Sequence, residues 1–152
     1  MPRYYKRTVY RGSRDKYSVE QQAGTLDIPA ASQAWTTVVP DTATQGMRKV
    51  KHLTVSCGTY PSGLGVSFWA LVYVPQGTSP NTLNLTGSTG MYEPNQFVMN
   101  CGVVDFDAGP ARIPCPISRN LNSGDKIVLI MTNAGSTEAH ISYCVRYAIT
   151  LQ

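Results

Sequence analysis

From His140 to Leu151 apolar and polar residues alternate without a break. Ile141, Tyr143, Val145, Tyr147, Ile149 and Leu151 fall on one side; His140, Ser142, Cys144, Arg146, Ala148 and Thr150 fall on the other. Period two is the side-chain period of a β-strand, so this run predicts a long strand with one buried face. Ser142, Arg146 and Thr150 are then expected on the exposed side. DKIVLIMTN (Asp125 to Asn133) and SFWALVYVP (Ser67 to Pro75) are apolar on both sides, as in strands covered on both faces. The turns Asn122-Ser123-Gly124-Asp125 and Asn133-Ala134-Gly135-Ser136 bracket the first of these runs, and Pro75 closes the second.

Other segments carry the same pattern less cleanly. In MRKVKHLTVSC (Met47 to Cys57), Leu53, Val55 and Cys57 share a face while Val50 is out of phase. Either both faces are partly covered or a bulge lies near Lys51. Tyr17 to Pro29, Asn95 to Phe106 and Ala111 to Ser118 are further strands, the last demoted to an edge or bulged strand by Pro114 and Pro116. Leu83 to Leu85 supplies a short piece inside the loop from Gln76 to Pro94, and Trp35 to Val39 extends the first strand after an excursion. No window sustains a helical period for three turns. The expected fold is all-β: a single eight-stranded antiparallel jelly roll, a β-sandwich, over residues 17–152. An immunoglobulin-like sandwich is the alternative, with Trp69 between Cys57 and Cys101, but the tyrosine expected two residues before a cysteine is missing.

Charge changes the picture at one end. Charged residues are only 14% of the chain, against about 25% in an ordinary domain. Neutral surface is what a subunit buries against its neighbours. Of 13 basic residues, six lie in residues 1–16: Arg3, Lys6, Arg7, Arg11, Arg14 and Lys16. They interleave with Tyr4, Tyr5, Tyr10 and Tyr17, and the one acid in residues 1–16 is Asp15. A near-neutral body thus carries a short basic arm, which suits a polyanion. Cations neutralise phosphates without reading sequence, and tyrosine rings stack on unpaired bases. The arm also has the composition of a nuclear localisation signal. Its alternative is a solubilising tail. Arg48, Lys49 and Lys51 form a second basic cluster, lining the same surface as the arm or capping a strand end. With no long apolar run and no apolar face on the arm, membrane insertion is not expected.

Candidate chemistry is sparse. No nucleophile elbow, H-E-x-x-H or phosphate-cradling glycine loop is present, so no catalytic residue is assigned and an enzyme is not expected. Cys57, Cys101, Cys115 and Cys144 have no metal spacing, and His52 and His140 stand apart, so neither a metal nor another cofactor is expected. The chain opens on basic and polar residues rather than a signal peptide. Free, mostly buried thiols in a reducing compartment follow. Asp105 and Asp107 are spaced to share a face, as a solvated turn before Gly109-Pro110 or as cation ligands.

The runs GMRKVKHLTVSC, SFWALVYVPQGTSPNTL, MYEPNQFVMNCGVVDFDAGPARI and SRNLNSGDKIVLIMTN resemble coat proteins of small circular single-stranded DNA viruses that encode a replication initiator. The likeness extends from about Met47 to the C-terminus. FWALVYVPQG, YEPNQFVMNCGVVDFDAGP and RNLNSGD are its most specific pieces. It implies a single jelly roll, a sixty-subunit icosahedral shell with basic N-termini inward, a packaged single-stranded DNA genome, and assembly in the host nucleus after import. Circovirus coats have a longer, more arginine-rich arm and a longer chain. The host receptor is not legible. Two other classes stand beside this one. One is a non-viral jelly-roll binding module of the tumour-necrosis-factor type. The other is a sequence-independent single-strand-binding protein on an OB fold, with five strands and its aromatics on the sheet.

Overall fold

The computed structural model describes residues 17–59, 65–80 and 97–151; the basic arm and the segment Leu83 to Leu85 lie outside the described residues. Among the described residues there are nine strands: β1 (Tyr17–Ile28), β2 (Ser32–Val39), β3 (Arg48–Thr59), β4 (Val66–Val74), β5 (Val98–Asp105), β6 (Ala111–Cys115), β7 (Arg119–Leu121), β8 (Lys126–Asn133) and β9 (Ala139–Leu151). They form two antiparallel sheets. One runs β1-β9-β3-β6, with β7 also paired to β3, and the other runs β2-β8-β4-β5.

The two sheets pack face to face because each strand lends one apolar side to a common core. Ile141, Tyr143, Val145, Tyr147 and Ile149 enter it from β9, as the alternation predicts, and meet Trp69, Leu71 and Tyr73 of β4 with Ile127, Leu129 and Met131 of β8. Fully burying one aliphatic side chain contributes about 1.5–3 kcal/mol, so this seam dominates the stability. The opposite sides of β4 and β8 form a second small buried cluster of Ala70, Val72, Val74, Val128 and Ile130. That is why both strands read as apolar on both faces.

The expected irregularity in β3 is a bulge. Its pairing with β9 shifts register between Lys51 and Thr54, and His52 sits at φ 55°. The extra residue brings both Val50 and Leu53 into the core. Pro114 lies on β6, which ends the sheet order as an edge.

Two expectations are corrected, and one strand is added. Trp35 to Val39 does not continue the first strand; it belongs to β2, in the other sheet, paired with β8. Pro29 lacks an N–H, Ala31 takes φ 47°, and Asn133 Nδ2 donates to the carbonyls of Ile28 and Pro29, so the chain crosses between sheets there. Arg119–Leu121 forms a three-residue strand outside the predicted runs. Thr150 is buried although Ser142, Cys144 and Arg146, in phase with it, are exposed. Its Oγ1 accepts from the Lys49 amide at 3.2 Å, and Tyr17 and Lys49 flank it on the adjoining strands.

Candidate nucleic-acid interface

Directly paired residues project from the same side of a sheet, so the registers place residues in rows across the outer face of β1-β9-β3-β6. The first row is Tyr17, Thr150, Lys49 and Asn120; the second is Val19, Ala148 and Lys51. The third is Gln21, Arg146, Thr54 and Pro114, and the fourth is Ala23, Cys144, Ser56 and Arg112. Thr25, Ser142 and Gly58 follow, then Asp27 and His140. Lys49, Lys51, Arg112 and Arg146, four of the seven basic residues outside the arm, therefore share one face. Among the described residues of these rows the carboxylate is Asp27, at the far end, where it pairs with His140 at 2.7 Å and Glu138 lies close by.

The cluster expected at Arg48, Lys49 and Lys51 is divided by strand alternation. Lys49 and Lys51 face outward. Lys51 lies 4.7 Å from the centroid of the Tyr17 ring and also donates to the Tyr17 hydroxyl, tying β3 to the residue that follows the arm. Arg48 points to the sandwich rim, where Nη2 donates to the Pro40 carbonyl at 3.2 Å and Nε is buried with no partner among the described residues. Arg3, Tyr4, Tyr5, Lys6, Arg7, Arg11, Arg14 and Lys16 lie outside the described residues.

Beside Lys51 the face hollows into an open groove of about 690 Å³, floored by Thr54, Ser56 and Ala148 and flanked by Gln21, His52, Arg112 and Arg146. Sequence reasoning missed Arg112 and the groove. Arg146 was legible as an outward residue of the last strand. That Arg112 stands opposite Ser56, beside Cys144, depends on long-range pairing that no local pattern signals.

The outer side of the other sheet has a different character. Phe68 and its direct partner Val103 are exposed there, and Lys126 lies 5.3 Å from the centroid of the Trp35 ring.

Polar groups elsewhere serve the fold. Asp105 Oδ1 accepts from the Asp107 amide at 3.0 Å, closing the 3-10 turn Phe106–Ala108. This is the structural role that the spacing allowed. Asp125 is buried, and it accepts from Tyr73 Oη at 2.7 Å and from the amides of Asn122 and Gln76. Burial raises the pKa of this carboxyl, but the donors outweigh it and the net shift is downward. His140 does not stand apart: Asp27 and Glu138 lie beside it. The hydrogen bond to Asp27 raises its pKa. All four cysteines are free, but only Cys57 and Cys115 are buried; Cys101 and Cys144 are exposed, against the expectation of mostly buried thiols. β-Strand alternation turns Cys144 outward on the polar side of β9.

No protein-family profile matches the chain, and no curated protein sequence does. Among solved structures, an aminopeptidase from a marine sediment archaeon, Thaumarchaeota archaeon, is similar with a TM-score of 0.44 and 12% identity over 85% of this chain. The chain spans 37% of that protein's length. A subunit of disulfide-linked pili, the endospore appendages of Bacillus, is similar with a TM-score of 0.35 and 16% identity, covering 90% of this chain and 92% of that one.

Proposed function

We propose that this chain is the coat protein of a small single-stranded DNA virus, assembling as sixty copies into an icosahedral shell around its genome. The observation that carries the reading is the placement of charge. The arm with six of the 13 basic residues joins β1 at Tyr17, on the edge of a sheet face that carries four more. The remainder of the chain is nearly neutral, which suits burial between copies. The sequence resemblance from Met47 onward supports the same class.

The strand order supports a jelly roll. The sheets β1-β9-β3-β6 and β2-β8-β4-β5 become two four-stranded sheets when β6 and β7, which both pair with β3, are counted as one interrupted strand. Pro116, in the connection between them, accounts for the interruption, because it has no N–H to donate. In this reading the arm holds nucleic acid and the sandwich makes the shell, in the virion and in the host nucleus where it assembles. The reading assigns no catalysis.

Electron microscopy of the purified full chain tests it. Closed particles of a single size, containing nuclease-protected nucleic acid, are expected. Monomers or trimers at every protein concentration and salt would overturn it. Removing residues 1–16 is expected to leave particles with little nucleic acid, read from the ultraviolet absorbance ratio after nuclease. Equal content with and without the arm would exclude its packaging role.

A further inference from the structure

We infer that the groove on the outer face of β1-β9-β3-β6 is a second nucleic-acid site, separate from the arm, in which Arg112 and Arg146 hold the phosphates of a single strand. The inference rests on the coat-protein reading and adds which side of the sandwich faces the genome.

Both guanidinium groups are exposed, and among the described residues neither has an ion-pair or hydrogen-bond partner. A planar fork of N–H donors with nothing to bind is suited to phosphate oxygens. Between the two arginines lie Thr54 and Ser56, whose hydroxyls add neutral donors, and His52 completes one side. Among the described residues the groove lining contains no carboxylate. The nearest acid on the face, Asp27, is four residues along β1 from Ala23, about 13 Å away at strand spacing, and is already engaged by His140. Among the described residues a phosphate entering the groove therefore meets two guanidinium groups and hydroxyl donors, beside apolar Val19 and Ala148.

The path of a strand follows from the rows. Tyr17, Lys49 and Lys51 stand at the end where the arm joins, and Arg146 and Arg112 succeed them across the face. A strand gathered by the arm is passed along this line. The recess has small polar residues on its floor, which admits a backbone; a flat bilayer surface is better met by protruding apolar side chains.

The test uses the full chain. Affinity for oligodeoxythymidylate is measured against salt for the wild type and for Arg112→Gln, Arg146→Gln and the double variant. Lys126→Gln, on the opposite sheet, is the charge control. Each lost phosphate contact lowers the slope of log affinity against log salt by about 0.7 for single strands. The double variant is expected to lose about 1.4. Lys126→Gln should lose nothing, and Arg112→Lys and Arg146→Lys should keep the wild-type slope. Circular dichroism and thermal melting confirm folding, and the single variants decide the case if the double does not fold. Unchanged slopes in folded variants, or equal losses from Lys126→Gln, would overturn the inference. If particles form and the truncated arm empties them, the coat-protein reading survives that result. Particles that never form would sink that reading, while the slopes still decide the groove. Loss of binding to phosphatidylserine vesicles in the double variant, with oligonucleotide binding intact, would overturn the nucleic-acid assignment in favour of a membrane surface.

Discussion

The hydroxyl of Tyr143 on β9 meets Thr36 Oγ1 on β2 at 2.8 Å, joining the two sheets through the core. The ring lies against Gly24, its direct partner on β1, where a Cβ would stand 2.7 Å from the hydroxyl oxygen. Trp69 and Gly102 repeat the device on β4 and β5, with a Cβ 3.0 Å from the indole. A glycine opposite a large inward ring makes room for it.

Gly24→Ala is therefore expected to destabilise by about 1–3 kcal/mol, since the ring must move. Tyr143→Phe removes only the bond to Thr36 and is expected to cost about 0.5–1.5 kcal/mol. Urea denaturation measures both. Gly24→Ala protein as stable as wild type would mean that β1 shifts freely at this point.

Asp125 should govern the acid limb of stability. Its folded pKa lies below its ordinary value, so its contribution is present above the unfolded carboxylate pKa of about 3.9 and is lost as pH falls through the folded value. Asp125→Asn is expected to flatten the decline below about pH 4. Asp125→Ala leaves the Tyr73 hydroxyl and two amides without their acceptor, at about 1–3 kcal/mol for each group left buried and unpaired. Denaturant midpoints measured between pH 2.5 and 7 check both variants.

The thiols should divide two and two. Cys101 and Cys144 are exposed, whereas burial pushes the Cys57 thiol up to about 11 and also raises that of Cys115. A thiol reagent at pH 8 is expected to label two cysteines in native protein and four in denaturant. Four fast sites in folded protein would contradict the burial of Cys57 and Cys115, which is the inward side of β3 and β6.

His140 should titrate above its ordinary value of about 6.5, because Asp27 favours the imidazolium. The stabilisation from this pair is present below the unfolded pKa and disappears as pH rises through the higher folded one. Proton NMR of the His140 ring should show a raised pKa that falls in Asp27→Asn protein. An unchanged His140 titration in Asp27→Asn protein would break the assignment of the pair.

Local pattern alone determined the strands whose burial is simplest. The unbroken alternation of β9 and the two-sided apolar runs of β4 and β8 were legible because burial of one or both faces dictates residue type at each position. The misphased Val50 marked an irregularity in β3, which the pairing register resolved as a bulge. The asymmetry of charge between residues 1–16 and the remainder was also plain, since it needs only a count. Only tertiary structure decided the rest. β7 is three residues long, too short to hold a period, and exists because β3 pairs with it. β2 left the first strand's sheet because Asn133, far along the chain, fixes the crossing at Pro29. Arg112 and Arg146 are 34 positions apart and share a groove because β3 pairs with both of their strands. Periodicity reports which way a side chain points; which side chains become neighbours is set by the long-range register of hydrogen-bonded strands.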